Sequence, residues 1–320
     1  MRLALPLLLL PLAACGMVPG PGTEQVTIPP GATLPAVADS LAAHRIISSR
    51  GWFRLLARIT RRERKLQAGT YALHRGEGSI AALRTLTSGG AVLLRVTLPE
   101  GFTLRDIAAT VERDLGIPRD SLLEAARDTA LLHEFAVPGP TFEGFLRPET
   151  YLFAKGVSAE RVIRELATTF RDAWDPAWDD AARARHLDRK GLVTLASIVE
   201  GEARADSDRA LIAAVLLNRI ERGMPLQADA TILYAMQLAT GDRKTRLYEK
   251  DYAYPSLYNT YLNPGLPPGP IGAPSRKSLA AVANAPPAPY LYYVAGPDGR
   301  HIFSRTYAEH LRAVARIRRR

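Results

Sequence analysis

Cysteine is nearly absent from this 320-residue chain, and long apolar runs are absent beyond its N-terminal segment. The single cysteine excludes an intramolecular disulfide and any cysteine-rich zinc site. The N-terminal apolar run is too short to span a bilayer, which excludes a multi-pass membrane protein. With 47% hydrophobic and 23% charged residues, the composition is ordinary for a globular protein, so disorder over the whole length is excluded as well.

Acidic residues are fewer than basic ones: the chain has 32 Asp and Glu and 42 Lys and Arg, which gives a formal net charge of +10. Such a balance favours an anionic partner: nucleic acid, an acidic membrane face or an acidic polymer. The densest basic run, residues 61–65, is more typical of a solvated face than of a nucleic-acid patch. Because the N-terminus predicts export, we expect no nucleic acid partner.

Several catalytic signatures are also missing. The sequence has no Gly-x-Ser-x-Gly elbow and no phosphate-binding Gly-rich loop that ends in Lys-Ser/Thr. His133-Glu134 lacks a second histidine at the His-Glu-x-x-His spacing, and the six histidines are scattered. We therefore expect no metal and no cofactor.

The first fifteen residues have the pattern of an export signal. Arg2 is a short positive region, Leu3 to Leu12 form an apolar core, and two alanines precede Cys15. This order resembles the bacterial lipobox, in which the cysteine is lipidated and becomes the mature N-terminus. The alternative is a plain signal peptide with an incidental cysteine. In either case the mature chain is exported, and the Gly/Pro-rich residues 16–25 suit a tether.

A repeat 70 residues apart organises the first half of the chain. IPPGATLPAVA (28–38) and LPEGFTLRDIA (98–108) each predict a strand, a Pro-x-Gly turn, a Thr cap and an amphipathic helix. This pattern resembles the LysM module, a small carbohydrate-binding unit, and the alternative is a generic β-turn-helix reused for packing. The residues in register are Pro29/Pro99, Gly31/Gly101, Thr33/Thr103, Leu34/Leu104 and Ala38/Ala108.

Hydrophobic spacing predicts helices over three later segments, 119–136, 192–202 and 207–222. Glu200 ends the apolar stripe of the second helix, so its carboxyl is expected at the edge of an apolar wall. Such surroundings raise a carboxyl pKa and keep the group protonated near neutral pH, as a general acid requires. The alternative is a structural or solvated glutamate at a helix end. Glu202 points about 200° away on a helix, so the two carboxyls are not expected to share one spot.

Two polar stretches follow these helices. Gln227, Asp229 and Thr231 alternate in GMPLQADATILY (223–234), and SLYNTYLNPGLPPGPI (256–271) is a stiff loop with aromatic and amide side chains. Aromatic faces stack on the C–H faces of sugars and amides bond their hydroxyls, so this loop is a candidate sugar-binding wall. The alternative is an ordinary turn-rich loop.

Seven blocks of the sequence resemble, in order and spacing, the signature blocks of the endolytic murein transglycosylase (YceG-like) family. The resemblance covers about residues 25–315, and seven ordered blocks are specific in a way that no single motif is. The blocks are LPEGFT (98–103), FEGFLRPETY (142–151), SIVEGEA (197–203), LLNRIERGMPLQADATILY (216–234), SLYNTYLNPGLPPGPI (256–271), YLYYVAG (290–296) and HIFSRTYAEH (301–310).

The resemblance implies a lytic transglycosylase that cuts the MurNAc–GlcNAc bond within nascent peptidoglycan strands, without a cofactor. Glu200 matches the catalytic glutamate of the family's VE-x-E block. One carboxyl suffices, because the sugar's own C6 hydroxyl attacks C1 and leaves a 1,6-anhydro end. The resemblance also implies a link to penicillin-binding protein synthases. Further matches, expected to lie in the cleft, are Glu202, Gln227, Asp229, Thr231, Ser256, Tyr258, Asn259 and Tyr261.

The expected fold is α+β, with a small LysM-like unit over 26–95 and a larger mixed catalytic domain over 96–320. The family typically begins with a cytoplasmic stretch and a spanning helix, whereas this chain has an export signal that ends at Cys15. The protein is therefore expected at the periplasmic face of a membrane. The sequence does not decide between the inner membrane, which the family resemblance implies, and the outer membrane. A further departure is Asp229-Ala230-Thr231, where the family has D-P-T. The rival function is a non-catalytic peptidoglycan-binding scaffold, against which the presence of Glu200 argues.

Overall fold

The computed structural model describes residues 23–89 and 93–319. Its contacts divide the chain into two compact units. Unit 1 comprises the described residues up to Leu94 together with Ala154–Gly156, and unit 2 comprises Arg95–Phe153 and the described residues from Val157 onward. The export signal and Cys15 lie outside the described residues, so lipidation stays a prediction. Across the described ranges, no helix is both long and apolar enough to cross a membrane.

Unit 1 contains a two-stranded antiparallel sheet that contacts helices on both of its strands. Val26 lies opposite Tyr71 in this sheet, and both side chains are fully buried. The elements in chain order are β1 (Thr23–Ile28), α1 (Leu34–Ala43), α2 (Arg50–Ile59), a 3-10 turn (Glu63–Lys65), β2 (Gly69–His74) and α3 (Ser79–Thr87).

The sequence repeat gives the same local structure in both copies. Gly31 and Gly101 both adopt a left-handed backbone, with φ of 75° and 73°, which glycine adopts without a steric penalty. Thr33 and Thr103 both cap the helix that follows by accepting a hydrogen bond from its first turn. Asp106 accepts a bond from the backbone N–H of Thr103 in return, which completes a capping box. The predicted strand–turn–helix is confirmed in each copy.

The rest of the chain is mostly helical. Helix α9 lies at the centre of unit 2, because every residue from Gly191 to Val199 is buried and the helix packs against α8, α10, α11 and α12. The elements are β3 (Leu93–Thr97), α4 (Leu104–Leu115), α5 (Arg119–Ala125), α6 (Thr129–Glu134), β4 (Thr150–Ala154), α7 (Ala159–Asp172), α8 (Ala177–Arg183), α9 (Arg189–Glu202), a 3-10 turn (Asp206–Asp208), α10 (Arg209–Glu221), α11 (Asp229–Thr240), a second 3-10 turn (Glu249–Ala253), α12 (Arg276–Ala283), β5 (Tyr292–Ala295), β6 (His301–Ser304) and α13 (Tyr307–Arg318).

Strand β3 pairs with β4, and β5 pairs antiparallel with β6. Helices that pack with small two-stranded sheets confirm the expected α+β class.

The three helices predicted over 119–136, 192–202 and 207–222 have other boundaries in the structure. The helix predicted from 192 begins three residues earlier, at Arg189, where the carboxylate of Asp188 caps it. Residues 119–136 form two helices, because the carboxylate of Asp128 accepts two backbone N–H bonds and caps a new one. The helix predicted from 207 begins at Arg209, because Asp206–Asp208 form a 3-10 turn. The carboxylate of Asp208 does not cap that helix and instead accepts a bond from the backbone N–H of His301 at 2.7 Å.

Candidate active site

Glu200 lies in the last turn of α9, with its carboxylate at the N-terminus of α12. One carboxylate oxygen accepts bonds from the backbone N–H of Ser275 at 2.9 Å, from the Ser275 hydroxyl at 2.5 Å and from the Ser278 hydroxyl at 2.8 Å. Ser275 is the N-cap of α12, so the positive end of the helix dipole faces this carboxylate.

The other oxygen of Glu200 pairs with a buried guanidinium. Arg209 Nη1 donates to it at 2.9 Å, and the two side chains are only 10% and 7% exposed. Arg209 also donates to the Ser278 hydroxyl and to Asp206, so three groups hold it in place. The expectation that Glu200 would lie against an apolar wall is therefore wrong: its carboxyl group is surrounded by four donors, one of them charged.

The LPEGFT turn forms the wall beside Glu200. The backbone N–H of Gly101 donates to the carbonyl of Ala273 at 2.8 Å, and Ala273 N–H donates to the carbonyl of Phe102 at 2.7 Å. A Cβ added at Gly101 would lie 3.8 Å from Cγ of Glu200. Two segments far apart in sequence are thus joined backbone to backbone around the glutamate.

A cleft of about 270 Å³ opens next to this turn. Ser275, one of the groups that bind Glu200, lines the cleft, and so does the exposed side chain of Glu100. The partial burial of the Glu100 carboxyl and the negative charge of Glu200 raise the pKa of Glu100, against the opposite effect of nearby cations. The indole rings of Trp174 and Trp178 form part of the same cleft, edge to face with centroids 5.2 Å apart.

Glu202 lies in a second polar cluster, at the N-terminus of α11. Its carboxyl accepts bonds from the backbone N–H of Ala230 and the hydroxyl of Tyr293, both at 3.3 Å. Burial of this carboxyl raises the pKa of Glu202 to about 7, and the charge of Asp229 acts in the same direction. The second glutamate of the SIVEGEA block is thus a carboxyl group whose pKa lies near neutral pH.

Asp229 belongs to this second cluster. It accepts a bond from the hydroxyl of Tyr261 at 2.7 Å and a longer one from Tyr252 at 3.4 Å. Gln227 is exposed, with a left-handed backbone at φ 51°, and its side-chain oxygen lies 3.4 Å from a guanidinium nitrogen of Arg219. The structure thus brings Glu202, Asp229 and Tyr261 together, on a different side of α9 from the partners of Glu200.

Four of the other predicted cleft residues support the loop after α11. Thr231 and Asn259 are fully buried: the Thr231 hydroxyl donates to a backbone carbonyl at 2.7 Å, and the Asn259 amide donates to two carbonyls at 3.0 and 2.9 Å. Ser256 accepts a bond from the backbone N–H of Tyr258. The ring of Tyr258 packs edge to face on Tyr234, with centroids 4.9 Å apart. These polar groups hold the loop in shape.

Sequence reasoning missed Arg209, Ser275, Ser278, Glu100 and Trp174. The position of Ser275 at a helix start is predictable from the sequence, because a serine before the apolar run of α12 has the pattern of an N-cap. The others carry no local signal, since their role depends on contacts between segments distant in the chain. Within the described ranges, no group of three or more His, Cys, Asp or Glu side chains is placed to bind a metal ion.

Comparison with known proteins adds to this geometry. The family model named YceG-like matches residues 26–316. The chain is 30% identical over 307 residues to the endolytic murein transglycosylase of Bacillus subtilis, with 91% of this chain and 84% of that protein covered. It is also 30% identical to the enzyme of the same name from Streptococcus pneumoniae serotype 2, of which it spans 57%. A crystal structure of a putative YceG-like protein from Listeria monocytogenes superposes with a TM-score of 0.62 at 28% identity, covering 91% of this chain and 99% of that one.

Proposed function

The chain belongs to the YceG-like family, and on that basis we propose that it is an endolytic murein transglycosylase. Its substrate would be the glycan strand of peptidoglycan, cut within the strand at the MurNAc–GlcNAc bond. The product would be a strand that ends in 1,6-anhydro-MurNAc.

The observation that supports this proposal best is the position of Glu200 behind an aromatic-walled cleft. Ser275 donates a hydrogen bond to Glu200 and also lines the cleft, so only the Ser275 side chain separates the carboxylate from the cleft at this point. Aromatic faces such as that of Trp174, which is partly exposed, stack on the apolar faces of sugar rings. Arg276 and Lys277, at the start of α12, line the same cleft and would attract anionic groups of the wall polymer.

In the simplest reaction cycle, Glu200 gives a proton to the glycosidic oxygen as the bond to C1 breaks. The C6 hydroxyl of the same sugar then attacks C1, and its proton returns to the Glu200 carboxylate. No water is consumed. Because the attack is intramolecular, the orientation of one sugar replaces the second carboxylate that a glycoside hydrolase needs.

The second polar cluster also supports a glycan-binding role. Gln227 is exposed two residues before α11, and the NH₂ group of its side-chain amide can donate to sugar hydroxyls. Glu202, Asp229 and Tyr261 would fix this end of the cleft through the hydrogen bonds described above. Ser256, Tyr258, Asn259 and Thr231 would act through the shape of the loop.

We also propose that unit 1 is a LysM-like module and that Cys15 carries the membrane anchor. The Pro-x-Gly turn and Thr-capped helix of α1 support the first point, and the lipobox pattern supports the second. The protein would then work at the periplasmic face of a membrane, close to the penicillin-binding protein synthases that build the strands.

The test is mass spectrometry of the products that purified residues 16–320 release from intact peptidoglycan, with Glu200→Gln in parallel. We expect products with 1,6-anhydro ends from the wild type and none from the variant. Reducing ends would instead show a hydrolase, with Glu202 and Asp229 as the first candidates for a second carboxylate. Binding to peptidoglycan without any product would favour the non-catalytic scaffold.

A further inference from the structure

The outer face of α2 is apolar although unit 1 buries the opposite face of the same helix. Phe53 and Ala57 are fully buried in the core of unit 1. Trp52, Leu55 and Ile59 are 51%, 49% and 69% exposed. Their spacing of three and four residues places them in one stripe. We call these three residues the α2 outer face.

Unpaired positive charge surrounds this stripe. Residues 50–65 contain seven cations and one anion. Arg50 pairs with Asp39, and Arg58 lies 3.9 Å from Glu63. Within the described ranges, the remaining cations have no acidic partner, and all of them are exposed: Arg54, Arg61, Arg62, Arg64 and Lys65.

We propose that the α2 outer face docks on the surface of an anionic phospholipid bilayer. A tryptophan with aliphatic neighbours on one stripe and arginines beside it is the pattern of a helix that lies in the membrane interface. Aliphatic side chains such as Ile59 have no aromatic ring that could stack on a sugar and no hydrogen-bond donor for a nucleic acid, so these two partners fit the stripe less well than a bilayer does. The unpaired cations match the negative charge of acidic lipid headgroups.

The chain length before β1 is consistent with this placement. Only eight residue steps separate Cys15 from Thr23, the first residue of β1. If Cys15 is lipidated, as proposed above, the anchor is close in sequence to unit 1. The docking proposal itself does not depend on the lipid and is tested without it.

The experiment is co-sedimentation of purified residues 16–320, which lack Cys15, with vesicles of phosphatidylcholine alone or with about 30% phosphatidylglycerol. The test variant is Trp52→Ala/Leu55→Ala/Ile59→Ala. Its matched control is Leu152→Ala/Leu257→Ala/Leu311→Ala, which removes equally exposed apolar side chains from unit 2. Because all six side chains are exposed, we expect each variant to keep the wild-type melting temperature.

We expect the wild type and the control to bind the anionic vesicles. The test variant should bind these vesicles at least tenfold less, and the wild type should bind vesicles of phosphatidylcholine alone at least tenfold less than the anionic ones. Arg54→Gln/Arg61→Gln should weaken binding and reduce its salt dependence. Equal vesicle binding by the wild type and the test variant would overturn the proposal. Binding to isolated peptidoglycan that the test variant loses, without binding to vesicles, would assign the face to glycan.

Discussion

The buried pair of Glu200 and Arg209 makes a quantitative prediction about stability. With side chains 7% and 10% exposed, neither charge is compensated by solvent if the other is removed. Removing one partner of such a pair costs about 3–5 kcal/mol, because the remaining charge stays buried. We therefore expect Glu200→Gln and Arg209→Gln each to lower the free energy of unfolding by about 3 kcal/mol. The double variant should lose about the same amount as either single one.

The hydrogen-bond geometry explains why glutamine does not substitute smoothly at position 200. One oxygen of Glu200 faces Arg209 Nη1 and the other faces the backbone N–H of Ser275. A glutamine presents an oxygen to one of these donors and an NH₂ group to the other. Either orientation leaves two N–H donors facing each other, and only the removal of the guanidinium relieves this conflict.

The assay is urea unfolding of the wild type, both single variants and the double variant, with glycan cleavage measured on the same samples. We expect a coupling free energy of about 3 kcal/mol between the two positions. Cleavage should be lost in both variants that carry Glu200→Gln, even under conditions where they are folded. If the two stability losses simply added to within about 0.5 kcal/mol, the ion pair would not exist in solution and the reasoning would be refuted.

Three other substitutions follow from the site. Glu202→Gln should remove a pH dependence of unfolding. Burial raises the pKa of Glu202 to about 7, so the folded state binds a proton that the unfolded state has already released. The free energy of unfolding of the wild type should therefore fall by up to about 3 kcal/mol as the pH rises from about 4.5 to 7. Urea titrations at both ends of that range should show a smaller fall for the variant. Gly201→Ala should destabilise by about 1–3 kcal/mol in spite of alanine's better helix propensity, because its Cβ would lie 2.7 Å from Cβ of Ala230; a raised melting temperature would contradict this. Asn259→Ala should cost about 2 kcal/mol or more by leaving two carbonyls unpaired, and chemical denaturation that shows no loss would show that the loop does not need this amide.

The local part of the fold was predictable because it depends on neighbours in sequence. The two Pro-x-Gly turns and their threonine caps need only a glycine able to take positive φ and a hydroxyl three residues before the N–H it binds. The same reasoning failed over 119–136, where the hydrophobic spacing continues through the break. Asp128 is an ordinary N-cap residue, but its signal was outweighed by the apolar pattern around it.

The surroundings of Glu200 could not be predicted from its own helix. The residues before it are apolar, and from them alone an apolar wall is the natural expectation. Its actual partners come from the start of α10 and from α12, the latter more than 70 residues later in the chain. A titratable group takes its properties from the side chains that pack over it, and helix packing brings those from distant segments.

The spacing of the two glutamates in SIVEGEA explains why α9 serves two polar clusters. At two residues apart, their side chains point about 200° from each other, so the last turn of α9 presents one carboxyl to the N-terminus of α12 and the other to that of α11. Gly201, between them, lies against α11: a Cβ added there would lie 2.7 Å from Cβ of Ala230, so a side chain would push the two helices apart. A spacing of three or four would place both carboxyls on one face and bring like charges together. The short glutamate-glycine-glutamate sequence thus places an ion-paired carboxylate and a carboxyl with a pKa of about 7 within one turn of the same helix.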